Sequence, residues 1–199
     1  MKGGELGTAI QSPSKLLSQA ARAGQPAEDK RRLRVVADFS LNAANELTVQ
    51  YLREQGAERV TACYDLNREQ LMELVSAVPP EWLEVVIHQH MPMFHMEHCV
   101  FCAVLSPGTD KTNCGRPCDR HVVQLRDRVG TEHPLHADVA CRNTLYNATP
   151  QSGAETAGQL VANGIRWFRI ELLDESPKET AETVKLYSQL LRGQRSAKE

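Results

Sequence analysis

Five of the chain's six cysteines lie between Cys99 and Cys141, and all seven histidines lie between His88 and His136. Soft metal ligands are thus concentrated in three short runs: HMEHCVFC at 95–102, NCGRPC at 113–118 and ACRN at 140–143. Thiolates bind soft metals, so cysteines converging from loops predict a zinc site or an iron–sulfur site. Spacing leaves two arrangements open. Cys99-x2-Cys102 with Cys114-x3-Cys118 would close a small zinc knuckle and leave Cys141 spare. Cys99, Cys114, Cys118 and Cys141 would instead enclose the wider cage that a [4Fe–4S] cluster requires. The plain alternative is that the cysteines fill space in a loop-rich subdomain.

Other chemistries find less support. No His-Glu-x-x-His helix accompanies His88, His90, His95 and His98, and no Gly-x-Ser-x-Gly elbow is present. A Cys99–His98 nucleophile pair would compete with metal ligation, because a ligating cysteine is not free to attack. His90 and Glu97 flank the cysteine loop and are candidates to line the site. Glu171 ends an expected strand, where a carboxylate can act as a base or position a hydroxyl; pairing with Arg169 or Arg142 is the structural alternative. Arg142 and Asn143 follow the last cysteine, placed either to hydrogen-bond cluster sulfurs or to close the turn.

The surrounding elements read as alternating strands and helices. Strands are expected at Arg34–Phe39, Arg59–Cys63, Leu83–His88 and Arg166–Ile170. The first helix is capped by Asn42 or Asn45 and runs through Leu47, Tyr51 and Leu52 to Gly56. The second is capped by Asp65 or Asn67, places Leu71, Leu74, Val75 and Val78 on one face, and ends at Pro79-Pro80. A helix through Leu160 and Val161 stops at Gly164, and Pro177–Leu191 forms the last. This spacing predicts an α/β fold with a parallel sheet, either doubly wound or part of a (β/α)₈ barrel of about four βα units. The Cys-rich insertion, residues 89–150, falls between the third and fourth strands, a position where α/β folds collect ligands. Within it, His121–Leu125 and His133–Ala137 flank Asp127–Gly130 as a lid-like β-hairpin.

The organisation expected is a flexible leader over 1–33 (with a possible short helix Ser14–Ala23), a domain over 34–193 and a tail over 194–199. The longest apolar run, Cys99–Leu105, is far short of the roughly 20 residues that span a bilayer. With no apolar signal segment among the first 20 residues, the expectation is a reducing, cytoplasmic setting and no membrane partner. The 199 residues carry 23 basic and 25 acidic side chains, which excludes a basic surface over the whole chain. Six basic and six acidic residues cancel between His95 and Arg142; the stretch through Arg34, with seven basic against three acidic, could touch phosphates weakly. No aromatic stacking pattern accompanies it.

Several of these runs also carry a family likeness. Glu84, Met91-Pro92, Cys99, NCGRPC at 113–118, LRDRVG at 125–130, Pro134, Asp138 and CRNTLYN at 141–147 resemble the peptidase U32 family, the collagenase-like proteases. Phe168–Glu171 and the Tyr187–Leu191 helix resemble the end of that family's catalytic domain, so the likeness spans 34–193. The resemblance implies a (β/α)₈-type barrel whose C-terminal half carries an iron–sulfur cluster. It also implies oxygen-independent hydroxylation of ribosomal RNA, transfer RNA or a quinone precursor, with prephenate as oxygen source in some members; the peptidase label is older, and a collagenase-like hydrolase is the alternative it implies. Carried over, Cys99, Cys114, Cys118 and Cys141 match the family's cysteines best. Some branches have a Gly-x-Cys seven residues after the first cysteine, where this chain has Ser106, so Cys102 is the alternative to Cys118. The family's first half-barrel is replaced here by the leader. The expectation is a truncated protein, a non-catalytic metal-binding subunit, or one completed by a partner chain along the open edges Arg34–Phe39 and Arg166–Ile170.

Overall fold

The computed structural model describes residues 33–197; the leader, including the helix expected at Ser14–Ala23, lies outside the described residues apart from Leu33. The architecture is mixed α/β. Two units divide it, the first holding residues up to Val86, Ala154–Arg169 and Tyr187 onward, the second Ile87–Gly153 and Ile170–Leu186.

In the first unit, β1 (Val36–Ala37), β2 (Arg59–Thr61) and the start of β3 (Leu83–Gln89) form a parallel ladder, with Val36 opposite Arg59 and Val60 opposite Leu83. β1 is shorter than its sequence run because Asp38 accepts a hydrogen bond from the Phe39 amide at 2.8 Å and starts a 3-10 turn over Phe39–Leu41. Asn45, not Asn42, caps α1 (Glu46–Glu54), accepting from the Thr48 amide at 2.9 Å. Asn42 instead takes the left-handed conformation, φ 52°, that ends the 3-10 turn. α1 buries Val49 and Leu52, whereas Leu47 and Tyr51, the other apolar residues expected along it, are 71% and 53% exposed. A helix repeats every 3.6 residues, so a face centred on 49 and 52 turns 47 and 51 outward. α2 (Arg68–Ala77) begins with a capping box between Asn67 and Gln70 and buries Leu74 and Val75. α4 (Ala154–Ala162) buries Ala157 and Leu160, and β9 (Trp167–Ile170) pairs with β3.

The strands β1, β2, β3 and β9 are therefore neighbours in chain order, and the sheet is open; no closed barrel is present among the described residues. Nor is the sheet purely parallel. β8 (Gln151–Ser152) joins the end of β3 antiparallel, with His88 opposite Ser152. α5 covers Pro177–Leu191, as its pattern predicts. No described helix is long and apolar enough to cross a membrane.

The second unit is more regular than its Cys, His, Gly and Pro content suggests. β4 (Pro92–Met96), β5 (Val123–Arg126), β6 (Glu132–Ala137) and β7 (Asn143–Tyr146) form a four-stranded antiparallel sheet in the order β4-β7-β6-β5. The hairpin is present, pairing Val123 with Leu135 and Arg126 with Glu132. Its turn is set by Asp127, which accepts from the Val129 and Thr131 amides at 2.9 Å each. The short helix α3 (Val100–Leu105) brings Phe101 against Leu135 and Leu145, with Cys99, Cys118 and Met96 packed around them.

Candidate metal centre

Each cysteine of the group is fixed by a local device. Cys99 stands at the N-cap of α3, where the Cys102 amide donates to its Sγ at 3.5 Å. The fully buried Asn143 spans the same point. Its Oδ1 accepts from the Val100 amide at 2.7 Å, while Nδ2 reaches Cys99 Sγ at 3.9 Å.

Cys114 is held from the other end of α3. Ser106 follows that helix and donates from Oγ to the Cys114 carbonyl at 2.8 Å. Gly108 lies so close that a Cβ there would sit 2.6 Å from the Cys114 Cα, which no side chain tolerates. Gly115 and Arg116 both adopt positive φ, 67° and 53°, and so reverse the chain between Cys114 and Cys118. That reversal lets the Arg116 amide donate to Cys114 Sγ at 3.4 Å. Cys118 then sits in a single 3-10 turn, Pro117–Asp119.

Cys141 is displayed by the Asp138 turn. Asp138 accepts from the Ala140 and Arg142 amides at 2.8 and 2.9 Å, and from Arg142 Nε at 2.8 Å. The cost is a non-glycine residue at φ 64°, about 1–2 kcal/mol. A strained residue held this firmly is a common mark of a functional position.

All six thiols are free. Cys99, Cys114, Cys118 and Cys141 line one cavity of about 970 Å³, together with His121, His136 and Asp174. Cys99, Cys114 and Cys141 also line a second one of about 560 Å³, in which the fourth cysteine is Cys102. Cys118 and its alternative Cys102 therefore fall to two cavities sharing three thiols, and neither cavity is lined by the whole zinc-knuckle set Cys99, Cys102, Cys114 and Cys118. Burial separates the candidates: Cys102 is 6% exposed and its thiol donates to the Gly108 carbonyl at 3.4 Å, whereas Cys118 is half-buried. Burial pushes the Cys102 thiol up, and the adjacent Cys114 and Cys99 thiols push it the same way. Cys118 is also raised, by burial and then by Asp119. Among the described residues, no three His, Cys, Asp or Glu side chains are grouped tightly enough to hold a single metal ion.

Other expected site residues lie elsewhere. Arg142 closes the Asp138 turn, so of the pair after Cys141 it is Asn143 that touches sulfur. His90 lines neither cavity; its Nδ1 is 2.8 Å from the Asn147 carbonyl, and Nε2 is 3.3 Å from Glu175. Glu171 also lines neither, and its amide donates to the His88 carbonyl at 2.8 Å. Arg169 binds Asp38 and Glu84. Glu97 and His98 do line the smaller cavity. Sequence reasoning missed the His136–Asp174 contact, 2.9 Å, in the wall of the larger cavity. The two residues are 38 apart, and no pattern in the chain links them.

The family model described as Peptidase family U32 matches residues 25–199. No curated protein and no solved structure matches the chain.

Proposed function

The chain belongs to peptidase family U32, and from that premise we propose that Cys99, Cys114, Cys118 and Cys141 hold a [4Fe–4S] cluster serving oxygen-independent hydroxylation of RNA or a small aromatic compound. The observation that carries this reading is the convergence of the four thiols on one cavity. The donor set fits the group. Two of its sulfurs, Cys99 and Cys114, already accept backbone N–H bonds, the kind of contact that sets the properties of cluster sulfurs. One zinc ion needs every sulfur about 2.3 Å from a single point. A cluster spreads its four ligands over four irons, so a looser ring of thiols suits it better.

When bound, such a cluster supplies one-electron chemistry. The chain's own residues hold and tune the site. Asn143 aims an N–H at Cys99, which stabilises negative charge on that sulfur. Phe101 and Leu135 give the larger cavity an apolar part of its wall. RNA as substrate rests on family membership rather than on charge. The barrel reading belongs to the same proposal, because successive strands of a barrel are neighbours as β1, β2, β3 and β9 are. A partner chain or further segment would pair at the edge of β1.

Anaerobic purification followed by iron and sulfide analysis tests the cofactor. The expected result is about four irons and four sulfides per chain. One equivalent of zinc with no iron would overturn it in favour of the zinc knuckle.

A further inference from the structure

The fifth cysteine of the group has no place in a four-thiolate set, yet its surroundings are built. α3 carries Cys102 in its first turn, and Ser106 just past its end is hydrogen-bonded to the Cys114 carbonyl. Gly108 joins Cys102 and Cys114: its carbonyl accepts from Cys102 Sγ at 3.4 Å, and a Cβ added to it would sit 2.6 Å from the Cys114 Cα. Cys102 and Cys114 line the same 560 Å³ cavity. Three separate contacts thus bring together two thiols twelve residues apart.

We propose that Cys102 and Cys114 form a redox pair, joined as a disulfide by a hydroperoxide whenever Cys114 is not holding metal. The ligand role of Cys114 in this proposal rests on the cluster reading above; the juxtaposition of the two thiols does not.

The half-buried Cys114, with its sulfur facing the Arg116 amide, is the residue that meets the oxidant. Its thiolate attacks a peroxide oxygen; an S–O bond forms, the O–O bond breaks and, after protonation, water (or an alcohol from an organic peroxide) departs. Cys102 then attacks that sulfur. The S–S bond forms, the S–O bond breaks, and the hydroxyl leaves as a second water with the Cys102 proton. Two thiols and one hydrogen peroxide give one disulfide and two waters. Buried Cys102 suits the second step, because it is shielded from the oxidant and lies beside its target. The product removes one thiol from the four, so the site cannot refill until the bond is reduced.

The test treats the full chain, stripped of metal by a chelator, with one equivalent of hydrogen peroxide. Peptide mapping with fragmentation then locates the crosslink. The expected result is a Cys102–Cys114 disulfide, retained in Cys118→Ser. In Cys102→Ser, Cys114 should accumulate as a sulfenic acid, trapped by a 1,3-dicarbonyl probe. Crosslinking of Cys114 to Cys99, Cys118 or Cys141 instead, or no crosslink at all, would overturn the redox pair. Iron analysis of anaerobically prepared Cys102→Ser separates the two ideas. Loss of iron there would defeat the ligand assignment, while an absent Cys102–Cys114 crosslink defeats only the redox pair.

Discussion

The two units are stabilised by different means. The first has a repetitive apolar interior in which Val49, Val60, Leu83 and Ile165 are fully buried, on elements whose spacing is that of ordinary helices and strands. The second has an apolar centre of three buried residues, Phe101, Leu135 and Leu145. Around it the backbone is shaped by side chains bonded to nearby amides: Asp110, Asn113, Asp127, Asp138 and Asn143. One unit is thus fixed mainly by burial and the other mainly by directed polar contacts. Directed contacts can hold residues such as Cys141 at unfavourable dihedrals, which burial alone does poorly.

The largest expected effect attacks the weaker core. Phe101→Ala should cost about 3–5 kcal/mol, with hydrogen exchange showing lost protection in β5, β6 and β7. Unchanged protection there would mean that polar contacts alone hold the unit. Asn143→Ala comes next, at about 1–3 kcal/mol, because it leaves the Val100 amide without its acceptor. Denaturant titration measures the loss. In the first unit, Asn67→Ala removes a helix cap and should cost only about 1 kcal/mol. If it cost more than Asn143→Ala, the contrast between the units would fail.

The smallest effect is set by pH. Burial works to raise the Asp127 carboxyl, but bonds from the Thr131 and Val129 amides and from His133 outweigh it and hold it below the usual carboxylate range. The Ala148 amide donates to His133 Nδ1 at 3.2 Å, which leaves Nε2 as the donor to Asp127. A depressed carboxyl contributes stability above its unfolded value, near 3.9, and loses it as pH falls through the folded value. The hairpin should therefore loosen in acid below about pH 4, visible as amide shifts at Val129 and Thr131. In Asp127→Asn that acid step should vanish.

This contrast also explains what was legible in the sequence. Leu83–Gln89 alternates buried and partly buried residues, so its strand could be read directly. The cysteine cluster was visible from residue type and density, and the hairpin from its Asp-x-x-Gly turn. β4 and β7 were not visible. PMFHM and NTLY have no clean alternation, and they pair with each other across some fifty residues of chain. Of the apolar residues marking the first helix, Leu52 lies on the buried face but Leu47 and Tyr51 do not, because the face is shared with Val49 and apolar type alone does not say which side of the helix is covered. The choice between Cys102 and Cys118 was illegible because spacing does not report burial.

That choice is also where the cluster assignment is most exposed. Cys118→Ser and Cys102→Ser, purified anaerobically side by side and assayed for iron and for the cluster's visible absorbance, test it directly. Cys118→Ser should lose most of its iron, while Cys102→Ser keeps the wild-type content. The reverse pattern, iron kept without Cys118 and lost without Cys102, would contradict the assignment.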